Sequence, residues 1–337
     1  MIRYRICVVA FCASACLSEP IRTSTGQQAD MQMQGTQLQG MQLQGAQVLG
    51  MTMQGFQFAG ATLDGAALTN LRIEQGELVA EQGQVTRRGV DLANARLLAH
   101  VQNLASSSPV TVEYRITRVE EEADPRYDPT GTGSTFLYTL DQNVDGSGSW
   151  QPACSADADG RHATIPLAAI WDNHGNRVEV TSQFTFGCTT GVVAKCYRWG
   201  YRPWVTGYGD LTTLHQICTR VARADYCGNG ISHTRNGTLI NVWDNLPYPG
   251  PIQAQGYTPL GMFFEAGWST RGAVCLSHTR WLLGGLLIAA ACPDRLIAPG
   301  LGVLGATVCD FPAQLLGQPG GARMFNASYL NLNLDLL

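Results

Sequence analysis

Eight cysteines between residues 154 and 309 constrain this chain more than any other feature, because covalent ties decide which segments can be neighbours. They are Cys154, Cys188, Cys196, Cys218, Cys227, Cys275, Cys292 and Cys309. An even set in an oxidising compartment predicts four disulfides, and spacing alone leaves their pairing open. The rival is a metal site. No Cys-x-x-Cys pair occurs, and the Cys188/Cys196 and Cys218/Cys227 spacings are too wide for a zinc knuckle, so neither metal nor cofactor is expected.

The other three cysteines, Cys7, Cys12 and Cys16, sit in what reads as an export leader. Arg3 and Arg5 form a basic start, Ile6 to Phe11 an apolar core, and Ala13-Ser14-Ala15 a small-residue step. Cys16 follows directly and resembles the lipid-accepting cysteine of a bacterial lipobox, although Ala13 stands where Leu is usual. The expectation is lipidation at Cys16 and a membrane partner reached through that anchor, with plain signal cleavage as the alternative. The protein is then placed at the outer membrane or cell surface, otherwise in the periplasm or the medium. With 45% hydrophobic and 14% charged residues in 337, the chain can bury a core, and its net charge of -4 forms no basic stripe. Nucleic acid is therefore not an expected partner.

The chain divides by pattern into a leader (1–16), a linker (17–30), a Gln/Gly repeat (31–80), a β region (85–187), a cysteine-rich region (188–310) and a tail (311–337). In the repeat an apolar residue recurs every fifth position, as Met33, Leu38, Leu43, Val48, Met53, Phe58, Leu63, Leu68 and Ile73. This resembles the pentapeptide repeat, whose units stack as a right-handed β-helix. Bulky Met31, Met41, Met51, Phe56 and Leu71 fit its tight interior poorly, so a flexible tether is the competing reading. Either way so few units cannot bury a core alone, and the repeat is expected to be dispensable.

Beyond residue 85, Val110 to Val119, Thr135 to Leu140, Ala163 to Ile170 and Val178 to Phe186 alternate at period two, with a hairpin turn at Asp172 to Asn176. Asp210 can cap a helix carrying Leu211, Leu214, Ile217, Cys218 and Val221 on one face, stopped near Gly228 and Gly230. Trp281 to Ala291 reads as a buried helix, and the end of the tail could add a strand. The fold class is β-rich α+β: an antiparallel, sandwich-like region, then a disulfide-rich α+β domain, with a short β-solenoid or tether before them.

Phe184 to Cys188, Gly191 to Trp204, Arg223-Ala-Asp-Tyr-Cys-Gly-Asn-Gly230 and His233 to Thr238 resemble the ADYC domain of bacterial, largely myxobacterial, exported proteins. Ala224-Asp225-Tyr226-Cys227 is the motif behind the name, and Glu265 to Trp268 with Gly272 to Leu276 extend the likeness. The resemblance carries no activity with it.

Three constellations carry candidate chemistry. Cys227 and His233 could stage a thiol nucleophile and its base, but the even cysteine count favours a structural disulfide. His233 and Glu265 could act as acid and base with Asp225 orienting the imidazole, against the reading that all three are satisfied loop groups. Asp141, Asn143 and Asp145 match the first half of an EF-hand loop, yet Pro152 stands where the bidentate Glu belongs, which favours a hairpin loop. The leading function is an exported, lipid-anchored module that binds an envelope protein, extracellular protein or glycan, or supports the envelope. The runner-up is an exported hydrolase built on Asp225, His233 and Glu265.

Overall fold

The computed structural model describes residues 47–48, 51–52, 57–101, 110–293 and 321–329, apart from 125–126, 129, 131–134, 144–145, 147, 173, 181–182, 235–237, 248, 257 and 281–283. The leader with Cys16, the linker, the first repeat units and Cys309 lie outside these residues. Two short strands, β1 (Gln47–Val48) and β2 (Met51–Thr52), pair antiparallel.

The main sheet grows around β9 (Val110–Glu121), where Val112, Tyr114 and Ile116 turn into the core and the residues between them turn outward. Beside it lie β8 (Arg96–Val101) and β3 (Gln57–Leu63), then β4 (Ala66–Ala67). On the other side come β10 (Phe136–Asn143), β12 (Ala163–Leu167) and β15 (Thr185–Cys188), with β11 (Gln151–Pro152) on β10. A three-stranded meander, β5 (Thr69–Glu74), β6 (Glu77–Gln82) and β7 (Val85–Arg88), joins one face; Leu78 and Ala80 meet Leu97, Tyr114 and Tyr138 there. The β13 (Ile170–Trp171) and β14 (Arg177–Val178) pair flanks the expected turn, in which the Asp172 carboxylate accepts from the Asn176 amide at 2.8 Å.

This arrangement overturns the solenoid reading for the described end of the repeat. Asp64-Gly65 and Gln75-Gly76 all have positive φ, the backbone of tight hairpin turns, so their glycines close antiparallel pairs instead of turning a β-helix corner. The tether reading fails there too, since Ala61, Leu63 and Leu68 are buried. Residues 57–80 are joined to the rest of the fold: β3 pairs with β8 along the main sheet, and the Gln75-Gly76 turn lies against Trp204.

The second core joins what the sequence treats as separate regions. Leu137, Ile165, Leu167 and Trp171 pack with α1 (Val192–Arg198) and α2 (Leu211–Arg223), and with a second sheet of order β16 (Ile240–Asp244), β19 (Met324–Tyr329), β17 (Met262–Ser269), β18 (Gly272–Leu276). Core residues thus come from both sides of residue 188, and β19 places part of the tail in the middle of a sheet. α3 (Gly284–Ala291) buries Ile288 and exposes Ala290 and Ala291. The whole is β-rich α+β with antiparallel sheets, as the strand patterns imply.

Three bridges tie these parts: Cys154–Cys188, Cys196–Cys218 and Cys227–Cys292. Cys275 is also disulfide-bonded. The first pins β15 to the loop after β11, the second joins α1 to α2, and the third fixes the chain just beyond α2 to the end of α3.

Candidate functional site

The ADYC motif begins where α2 ends. At the helix start the Asp210 carboxylate accepts from the Thr213 amide at 3.0 Å, as its cap position predicts. At the other end Ala224 takes a left-handed conformation (φ 52°), four residues before the expected glycine stop. That turn sends the Asp225 amide back to the Arg220 carbonyl at 3.0 Å and the Asp225 side chain into the protein.

Asp225 is fully buried. Its carboxylate accepts from the Asn229 amide at 3.1 Å and the Gly230 amide at 2.9 Å, holding the following loop in a tight arc. The Arg220 guanidinium forms an ion pair with the same carboxylate. Arg220 also donates to the carbonyls of Thr270 (3.1 Å) and His174 (2.5 Å) and to Asn176 Oδ1 (2.6 Å). One arginine therefore joins α2 to the β13–β14 hairpin and to the β17–β18 turn. Arg223, next to this pair, donates to the Gly230 carbonyl; burial pushes its pKa down to about 10, with Asp225 opposing the change.

Tyr226 makes the second knot. Its ring stacks on Trp268 at 5.3 Å, and its hydroxyl donates to Glu265 Oε1 at 3.0 Å while accepting from the Arg280 amide at 3.1 Å. Burial drives its pKa well up, and the Glu265 charge acts in the same direction, so the phenol stays protonated. Glu265 is fully buried and takes Arg280 Nε on both oxygens, at 3.2 and 3.0 Å. Arg280 Nη1 and Nη2 then donate to the carbonyls of Ala222 and Val221, closing the C-terminus of α2 with positive charge where the helix dipole favours it.

Cys227 completes the motif through its bridge to Cys292. A side chain at Gly228 would meet the Arg271 carbonyl at 2.1 Å, so the loop and the β17–β18 turn touch backbone to backbone. The Ala273 amide bonds the Tyr226 carbonyl across that contact at 2.9 Å.

Of the three candidate catalytic residues, Glu265 and His233 lie beside Tyr226, and Asp225 precedes it in the chain. Asp225 and Glu265 are each closed into a separate arginine pair away from solvent. His233 lies with its ring 5.9 Å from that of Tyr226; burial lowers its pKa, and Asp225 partly opposes this. Among the described residues no hydrogen bond links His233 to either carboxylate. Cys227 is oxidised, which removes the thiol nucleophile.

Asp141 and Asn143 lie in β10, where Asp141 pairs with Arg115 at 2.8 Å and Asn143 is buried; Asp145 lies outside the described residues. Among the described residues no group of three or more His, Cys, Asp or Glu could hold a metal ion. The residues that sequence reasoning missed are Arg220 and Arg280. Arg220 faces inward at the end of α2 in a charge-poor chain, but its partner lies five residues on, past a reversal that spacing does not reveal.

Fold and site together define a disulfide-braced, β-rich α+β domain whose central motif is a pair of buried ionic knots. Residues 89–282 match the ADYC domain model, and the chain belongs to that family. No curated protein and no solved structure matches it.

Proposed function

We propose that this is an exported bacterial envelope protein, anchored through a lipid on Cys16, that acts as a binding or structural module for an envelope protein, extracellular protein or glycan. The observation that carries the non-catalytic reading is the commitment of Asp225 and Glu265. A general acid or base must reach substrate and exchange protons, and these carboxylates are fully buried and bonded to Arg220 and Arg280. Disulfides fit a non-cytoplasmic setting, and among the described residues no helix is long and apolar enough to cross a membrane. Attachment would then fall to the leader.

Two measurements test the reading. Detergent partitioning and mass spectrometry of the full chain in a bacterial host should find lipid on Cys16, lost in Cys16→Ala; an unlipidated terminus downstream of Cys16 refutes the anchor. A hydrolase substrate panel on the purified protein should give no turnover that His233→Ala abolishes. Turnover lost in that variant, with unchanged melting, would restore the enzyme.

A further inference from the structure

The three bridges differ in how far a reagent can reach them. Cys154, Cys188, Cys196 and Cys218 are at most 4% exposed, so two bridges lie inside the cores. Cys227 and Cys292 are only half-buried and pack against the second core from outside it. The chain neighbours of Cys292, Ala291 and Pro293, are both exposed, whereas Cys227 follows the fully buried Tyr226. A disulfide is opened by a thiolate that approaches one sulfur along the S–S axis, so access decides which bridge reacts and at which end.

The two ends of this bridge are also held differently. Cys227 sits in a loop that its neighbours fix without it: Asp225 accepts from the Asn229 and Gly230 amides, the Ala273 amide bonds the Tyr226 carbonyl, and Gly228 and Gly272 meet backbone to backbone. Cys292 closes α3, where its amide bonds the Ile288 carbonyl of the same helix at 2.8 Å. Ile288 is buried, but Ala290 and Ala291 are exposed, and among the described residues no hydrogen bond or ion pair joins α3 to another element. We infer that Cys227–Cys292 is a thiol–disulfide exchange site for a dithiol reductant, and that opening it releases α3 while the ADYC loop stays folded. The inference rests on the exported, oxidising setting proposed above, in which the bridge is closed until such a reductant meets it. One thiol of the reductant gives up its proton and bonds to Cys292 Sγ as the Cys227–Cys292 bond breaks, and Cys227 leaves as a thiolate that takes up a proton. The second thiol then loses its proton and attacks the reductant's own sulfur in the mixed disulfide, freeing Cys292 as a thiolate that is protonated in turn. The reductant ends as a disulfide, having passed two electrons and two protons to the bridge.

Timed reduction of the oxidised full chain by dithiothreitol in native buffer, with the freed thiols alkylated at each time, tests the site. Tryptic cleavage puts Cys154, Cys188, Cys196, Cys218, Cys227 and Cys292 in six separate peptides, so each can be followed by mass spectrometry. Cys227 and Cys292 should be labelled together and about tenfold faster or more than the other four, as their access requires. Labelling of all six at one rate, or of either buried bridge first, overturns the inference. The release is read by hydrogen exchange on the same protein before and after the selective reduction. Amides of residues 284–291 should exchange about tenfold faster or more once the bridge is open, while those of 224–230 keep their protection. Unchanged exchange in 284–291, or protection lost in 224–230 as well, refutes the release even where the labelling is selective. Both measurements use the purified protein in solution, so their failure leaves the export reading standing, and an unlipidated Cys16 leaves the exchange site standing.

Discussion

Replacing Asp225 by Asn keeps the size of the side chain and removes the charge that Arg220, Asn229 and Gly230 share. Removing one partner of a buried ion pair costs about 3–5 kcal/mol, mostly because the other charge stays buried without compensation. Two features of the site set the cost within that range. Arg220 keeps three other oxygen acceptors on Thr270, His174 and Asn176, which lowers it. An asparagine, however, presents an N–H₂ either to the Asn229 amide, in place of Oδ1, or to the Gly230 amide and the guanidinium together, in place of Oδ2, where the carboxylate accepted from all three, which raises it. We expect about 4 kcal/mol. For a domain of this size each kcal/mol lowers Tm by about 2–4 °C, so the variant should melt roughly 8–16 °C below the parent. Thermal and urea melts of the mature protein at pH 7 measure this. Adding Arg220→Met should recover part of the loss, because the stranded charge is then gone, with a coupling of at least about 1 kcal/mol. A soluble Asp225→Asn protein melting within about 2 °C of the parent would show that the carboxylate is kept for something other than architecture.

Cys227→Ser opens a bridge spanning 65 residues and should cost about 4 kcal/mol on the chain-entropy account, seen as lower secreted yield and Tm; a stable, well-secreted variant counts against the structural role. Stability should fall with acid. Burial lowers the pKa of His215 to about 3, so the unfolded chain binds its proton from about pH 6.5 downward while the folded protein does not; this contribution is complete above pH 6.5 and shrinks by about 1.4 kcal/mol per pH unit toward pH 3. Urea midpoints from pH 7 to 4 should show a shallower slope for His215→Gln, and an unchanged slope removes the assignment. Gly76→Val puts a Cβ 2.4 Å from the Trp204 ring at a φ of 79°, and should destabilise the protein by about 2 kcal/mol or more in urea melts. Deleting residues 57–70 should prevent folding, because β3 leaves the main sheet; a Tm within a few degrees of the parent would mean that the sheet closes without it.

Much of the local structure was legible in the residues themselves. Period-two alternation marked β9, β10 and β12, Asp210 announced the start of α2, and Asp172 to Asn176 announced a hairpin, because each depends on neighbours a few positions apart. Cysteine parity likewise implied bridges, since pairing obeys arithmetic even when connectivity does not. What the sequence could not determine is what each signal meets in space. Five-residue periodicity fits a β-helix as well as hairpins, and only the pairing of β3 with β8 and the packing of Gly76 under Trp204 decide between them. Asp225, His233 and Glu265 are the residue types an acid–base site requires, and Glu265 and His233 do meet at Tyr226. Whether a carboxylate is reactive depends on its solvation and its nearest charge, and those were set by Arg220 across a helix-end reversal and by Arg280 fifteen residues along the chain from Glu265. Covalent order fixed which groups were available, and three-dimensional proximity in a medium of low polarity decided that each of the two carboxylates is closed into a buried arginine pair.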